Sequence, residues 1–393
     1  MRLLIITPGK LPVPATDGGA VETLIQTIID DNERKKKYDI TLISIYTKEA
    51  KKASNKYKYT KFKFINVDDK IYKISKYYRY IINRIPNIYI GNAYIKRVSK
   101  LLEEDSTYYD YVIVENSGQY SLILKKKYKD KLILHMHNDF LNKNINMAKK
   151  ILNSYSKVFS LSNFISNRIR EIDKRYENVY TLYNGVELDK FDIEENKMLR
   201  KELGIKQEEF VYLYTGRIVK EKGVRELIKA FNNLRYNDVK LVIVGDIENV
   251  PLKSKKYVKE LRKLCKDNKN IIFTGKISYK YIPQYYKMSN VGVIPSIWEE
   301  PFALTVIEHM AVGNPVIISK SGAMTELVNE ECAIIVDKEK NYIENLANAL
   351  IKIKDNYKMY DSKKIKQQAN LFSSDIYCRR FYELILKQRK DKI

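Results

Sequence analysis

Across 393 residues the chain has only three cysteines, three histidines and one tryptophan. Cys265, Cys332 and Cys378 are odd in number and widely spaced, with no C-x-x-C, which argues against a disulfide framework or a structural zinc site. They read as reduced thiols. No apolar run approaches the ~18 residues of a membrane span, and the run at 3–6 is too short for a signal-peptide core. A cytoplasmic protein is expected, with peripheral contact to the inner face of a membrane left open. G-x-G-x-x-G, G-x-x-x-x-G-K-[ST], G-x-S-x-G and Asp-x-Asp are all absent. Ordinary dinucleotide oxidoreductases, P-loop NTPases, serine hydrolases and enzymes that bridge a diphosphate through an Asp-held metal are thereby set aside.

Basic residues are plentiful: 72 Lys and Arg stand against 48 Asp and Glu, a formal charge of +24. Within 48–101 the acids are only Glu49, Asp68 and Asp69. Such an excess raises anionic lipid, nucleic acid or phosphorylated substrates as partners. It fits equally well a composition rich in Lys, Ile, Asn and Tyr whose lysines are merely solvated. Segment 73–84 interleaves Lys73, Lys76, Arg79 and Arg84 with Tyr77, Tyr78, Ile81 and Ile82, a mixture suited to an interfacial helix on an anionic membrane surface. The alternative is that these apolar side chains pack into their own domain.

Short apolar runs at 3–6, 40–45, 62–67, 111–114, 132–134 and 158–159 alternate with helix-length segments. They lack in/out alternation, as parallel strands covered on both faces do. The pattern restarts at 210–214 and continues through 241–244, 271–273, 291–294, 316–318 and 334–336. Two successive doubly wound α/β domains are expected, 1–190 and 191–372, with the charged stretch 189–209 as linker. A last helix from Ser373 or Ser374 places Tyr377, Phe381, Leu384 and Ile385 on one stripe.

In an open α/β sheet, ligands bind at the carboxyl ends of the strands. Thr215-Gly216-Arg217 lies there, with Lys222-Gly223 at the opening of a helix: glycine admits close backbone approach, and the cations suit a diphosphate. Taken alone, the stretch reads equally well as a polar turn. Glu300-Pro301-Phe302-Ala303-Leu304-Thr305 precedes a helix whose free amides can cradle an anion, while Glu308 looks back from its first turns toward sugar or ribose hydroxyls. Gly18 and Gly19 follow the first strand and permit approach to a diphosphate or an acceptor. His135 and His137 are expected to diverge, so that only one enters a site. With so few histidines no metal site is expected.

These elements together resemble retaining glycosyltransferase family 4, the glycosyl transferases group 1. The resemblance rests on GGAVE at 18–22, YNGVELDKF at 183–191, TGRIVKEKG at 215–223, LVIVGD at 241–246, the Glu300 to Glu308 E-x7-E element and GNPVIISKSGAMTELV at 313–328. It implies a GT-B fold, two Rossmann-like domains facing across a cleft, with the C-terminal helix 373–393 completing the first. Arg217 and Lys222 would meet the diphosphate, Glu308 the ribose, Glu300 the donor sugar, and the amides of Phe302, Ala303, Leu304 and Thr305 phosphate or sugar. His137 matches the family's histidine that contacts sugar or acceptor. Ala303 stands where the family usually has Gly, His309 where Ala is common, and Ser321 replaces the first glycine of a pair. The implied reaction is metal-independent, retaining transfer from a nucleotide-diphosphate sugar, expected to be UDP-linked, to a glycan or lipid-linked acceptor in polysaccharide or glycoconjugate synthesis. No other cofactor is expected. A UDP-sugar epimerase of the same fold and a basic nucleic-acid-binding protein are the rival readings. No RNA or DNA module supports the latter, so nucleic acid is not expected as a partner.

Overall fold

A computed structural model describes residues 1–67, 82, 85, 87–248, 252–266 and 268–388. Segment 73–84, apart from Ile82, lies outside the described residues, and with it the interfacial helix expected there. The chain divides into two units, Met1–Gly185 with Asp375–Ile393, and Val186–Ser374.

The first unit holds strands β1 (Arg2–Ile6), β2 (Asp39–Ile45), β3 (Thr60–Ile65), β4 (Tyr111–Glu115), β5 (Leu132–Met136), β6 (Lys157–Ser160) and β7 (Val179–Thr181). They form one parallel sheet in the order β3-β2-β1-β4-β5-β6-β7. β5 and β6 are buried at every residue, because helices cover both faces of such a sheet. Strand β7 lies at the sheet edge and is only three residues long, too short to stand out as an apolar run.

The helix Ser374–Leu386 supplies Tyr377, Phe381, Leu384 and Ile385 to this unit's core, all buried. Its last carbonyls, left unpaired by helix geometry, are taken by Lys157, whose Nζ donates to Leu384 O (3.1 Å) and Ile385 O (2.5 Å). Burial, aided by Lys387, pulls that ammonium down to about 8.

The second unit holds β8 (Phe210–Thr215), β9 (Val239–Val244), β10 (Ile271–Gly275), β11 (Val291–Ile294), β12 (Val316–Ser319) and β13 (Ala333–Val336), all parallel, in the order β10-β9-β8-β11-β12-β13. The charged stretch expected as a linker belongs to this unit. Arg200, on the helix Lys197–Glu202, is 6% exposed and donates to the carbonyls of Met288, Lys206, Gln207 and Glu209. A charged side chain can be structural when carbonyls replace its water.

Each sheet reverses its winding at one pair, β1/β4 in the first unit and β8/β11 in the second. Loops leaving the carboxyl ends of such a pair diverge, and the crevice between them is where doubly wound sheets take ligands.

Candidate functional site

At the β8/β11 reversal point a cavity of about 1170 Å³ is lined by residues 215–222 after β8, Gly245 and Asp246 after β9, Lys276 and Ile277 after β10, and Trp298, Glu300 and Pro301 after β11. Gly216 and Arg217 are exposed there, and Arg217 makes no ion pair among the described residues. Lys222 Nζ reaches Glu300 Oε1 at 2.7 Å, and Ser296 Oγ donates to the same oxygen at 2.5 Å. Glu300 is 4% exposed. Buried carboxylates need such donors, since leaving one unpaired costs several kcal/mol.

Backbone geometry fixes this pair. Gly223 has φ +70, and a side chain there would collide with the Pro295 carbonyl, so the turn carrying Lys222 packs directly on the strand-end loop carrying Ser296 and Glu300. Gly322, at φ +55, likewise packs on the Glu300 backbone. The following amide, Ala323 N–H, donates to Glu300 O at 2.8 Å. Ser321, in place of a glycine, donates its hydroxyl to the Trp298 carbonyl and accepts from Lys338 Nζ at 3.0 Å, clamping the same segment.

The helix behind this loop spans Leu304–Ala311, with Ala303 at its N-cap and no side-chain cap. The earliest bonded amide is Val306 N–H, to Ala303 O at 3.1 Å, so the amides of Leu304 and Thr305 precede the helical ladder. Glu308 is 5% exposed and accepts from Tyr279 OH at 2.8 Å and Tyr286 OH at 2.6 Å. Burial raises its carboxyl, and the two phenols counteract that. His309 is fully buried, lies 4.4 Å from the Tyr286 ring and fills space that a side chain at Gly292 would need. With no hydrogen-bond partner among the described residues, its imidazole is pushed down by burial to about 3.

The first unit differs beside its reversal point, at the neighbouring pair β4/β5. His135 and His137 do not diverge: side chains alternate along a strand, so residues two apart share a face. Both rings turn to Glu115 at the end of β4, with His137 Nε2 2.8 Å and His135 Nδ1 3.1 Å from Oε2. The ring centroids are 4.2 Å apart. Burial alone would raise the Glu115 carboxyl, but the two imidazoles overturn this and hold it at about 2. Burial lowers His137, helped by His135 and opposed by Glu115. These three are the one group of His, Cys, Asp and Glu side chains among the described residues whose ligand atoms converge closely enough to hold a metal ion. Metal-bound histidine normally donates its other ring N–H to an acceptor. Here His135 Nε2 is buried without a partner among the described residues, so the set fits a hydrogen-bonded cluster better than a metal centre. Gly18 (φ +75) and Gly19 (φ +97) lie exposed before the helix Ala20–Lys35. A side chain at Gly19 would strike the Glu22 carboxylate, which lies buried against this helix start, where its negative charge disfavours a second anion.

Residues 195–370 match the family described as Glycosyl transferases group 1. Over 371 residues the chain is 29% identical to the putative glycosyltransferase YtcC of Bacillus subtilis, covering 89% of this chain and 82% of that one. It is 26% identical to the lipopolysaccharide 1,2-N-acetylglucosaminetransferase of Salmonella typhimurium, covering 71% and 78%. The stretch 195–370 belongs to the glycosyl transferases group 1. The crystal structure of HepE from Anabaena in complex with UDP aligns with a TM-score of 0.74 at 18% identity, over 98% of this chain and 99% of that one, which shows the GT-B fold.

Within this group 1 glycosyltransferase region, Gly216, Arg217, Lys222 and Glu300 line one cavity. Phe302, Ala303, Leu304, Thr305 and Glu308 belong to the same unit but do not line that cavity. Gly18, Gly19 and His137 belong to the first unit, and the His137 ring is only 2% exposed. Sequence reasoning missed Ser296, Tyr279, Tyr286 and Glu115. Glu115 was the most accessible of these, since it ends an apolar run at a strand's carboxyl end. Nothing local in the sequence marks the tyrosines among 32 of their kind.

Proposed function

We propose that this glycosyltransferase moves a sugar from a nucleotide-diphosphate sugar, UDP-linked in the first instance, to a glycan or lipid-linked acceptor of cell-surface polysaccharide synthesis, with retention at the anomeric carbon. The observation that carries the reading is the cavity at the β8/β11 reversal point, where Arg217 stands exposed beside the Lys222–Glu300 pair and the glycine-permitted turn. The UDP and UDP-glucose complexes of HepE, a protein of the same fold, support the choice of base. The lipopolysaccharide transferase and the capsular polysaccharide glycosyltransferase CapM of Staphylococcus aureus support the class of acceptor.

Arg217, Lys222 and the amides of Leu304 and Thr305 would stabilise charge that grows on the diphosphate as its bond to the anomeric carbon breaks. The acceptor hydroxyl attacks that carbon from the same face and passes its proton to the departing phosphate oxygen. Glu300, oriented by Lys222 and Ser296, would hold a donor-sugar hydroxyl, and Glu308 a ribose hydroxyl. Cations of the chain take the place of a divalent metal in this scheme. The test is a panel of nucleotide sugars read by thermal shift, since a ligand of the folded state raises the melting temperature. Acceptor-dependent release of the nucleoside diphosphate is then measured with and without EDTA. A shift by a UDP-sugar and EDTA-insensitive release are expected. The absence of any shift contradicts the proposed donor, and loss of release with EDTA, restored by manganese, contradicts metal independence.

A further inference from the structure

Glu308 is satisfied by two phenols of unlike standing. Tyr286 comes from the helix Ile282–Met288, is fully buried, and also pairs with Thr215 Oγ1 at 2.9 Å; its ring packs against His309 and Phe191. It is a fixed donor. Tyr279 comes from the short turn Tyr279–Tyr281, directly after the cavity residues Lys276 and Ile277, and is 57% exposed. No ring stacking like that of Tyr286 holds its ring among the described residues, and its hydroxyl is on Glu308 Oε1 at 2.8 Å.

A buried carboxylate that loses a donor without replacement bears a desolvation cost, so Tyr279 is held until another donor arrives. A ribose hydroxyl offers the same chemistry as the phenol, an O–H directed at one carboxylate oxygen. We propose that Tyr279 is an additional residue of the nucleotide site, a placeholder whose hydroxyl occupies the position on Glu308 that a ribose hydroxyl takes when nucleotide binds. This rests on the reading of Glu308 as the ribose carboxylate. Binding then exchanges one hydrogen bond for another at Oε1. The ligand receives little net affinity from that contact, and a ligand that displaces the phenol without bringing a hydroxyl leaves the carboxylate one donor short.

The experiment is calorimetric titration of UDP into the wild-type chain, Tyr279→Phe and the double variant of Tyr279→Phe and Glu308→Gln. Tyr279→Phe keeps the ring and removes only the competing hydroxyl, and its exposure makes a folding defect easy to avoid; melting temperature confirms this. UDP should bind Tyr279→Phe about ten-fold more tightly than the wild-type chain, the exchange value of one hydrogen bond to a charged group, and adding Glu308→Gln should abolish that gain. Glu308→Gln is read in this background because in the wild-type chain the exchange offsets the contact. Unchanged or weaker binding by Tyr279→Phe, with a further loss in the double variant, overturns the placeholder and leaves the ribose reading standing. Equal affinity of the double variant and Tyr279→Phe removes Glu308 from the ribose, and the placeholder falls with it.

Discussion

At the reversal point of the second sheet, the loops after β8 and β11 leave Gly216 and Arg217 exposed and enclose a cavity of about 1170 Å³. Beside the reversal point of the first, the carboxyl end of β4 is closed off by the end of the neighbouring β5. Glu115 and both histidines there are withdrawn from water, and their side chains are 0%, 0% and 2% exposed. The same winding rule created both places, but the side chains decided their use. In the second unit, glycines at 223 and 322 let backbone pack tightly while Arg217 projects into open space. In the first, the charged group is consumed by its neighbours. A strand-end location therefore nominates a site, and only the bonding of its polar atoms shows whether any remain for a ligand.

This contrast predicts opposite phenotypes. Glu115→Ala leaves two buried imidazoles without their acceptor, which should cost about 3–5 kcal/mol of stability by denaturant unfolding, with UDP affinity unchanged. A stable variant with weakened UDP binding reverses the assignment of the two regions. In the second unit, Arg217→Ala and Lys222→Ala should each lower turnover roughly ten- to hundred-fold, because each removes a charge-assisted contact of ~1.5–3 kcal/mol to the leaving group. Unchanged turnover in both moves the phosphate site elsewhere.

A smaller effect separates the buried histidines from the open cavity. The folded pKa of His309 lies at about 3, below the ~6.5 of an exposed imidazole, so folding favours its neutral form. Its contribution is intact above ~6.5 and is lost as pH falls toward about 3. In Glu115 the folded pKa is also depressed, so its contribution is present above the ordinary carboxylate range and lost as pH falls through about 2. His309→Phe should therefore flatten the stability profile between these first two limits without altering the loss that Glu115 contributes in the overlapping carboxylate window. An unchanged slope indicates that the ring accepts a proton inside the fold.

Much of this architecture was legible in the sequence because burial on both faces writes itself as apolar runs, as at 3–6 and 291–294. The edge strand Val179–Thr181 was too short to leave such a mark. Arg200 looked like linker charge because its carbonyl partners are supplied by residues as distant as Met288. The cations and glutamates of the second unit were legible as a spaced set, and Arg217, Lys222 and Glu300 do line one cavity. What the spacing could not carry was pairing: that Ser296 and Lys222 share one Glu300 oxygen, or that Tyr279 and Tyr286 divide Glu308 between them.

The single tryptophan provides a direct test of the central claim, that the second unit's cavity holds a nucleoside diphosphate. Trp298 lines that cavity and is 49% exposed, so its emission reports occupancy without a label. Titration with UDP should produce a saturable change that persists in Glu115→Gln and is abolished or strongly weakened in the double variant of Arg217→Ala and Lys222→Ala. An equal response in the double variant, or no saturable response of the wild-type protein to any nucleoside diphosphate, would contradict the account.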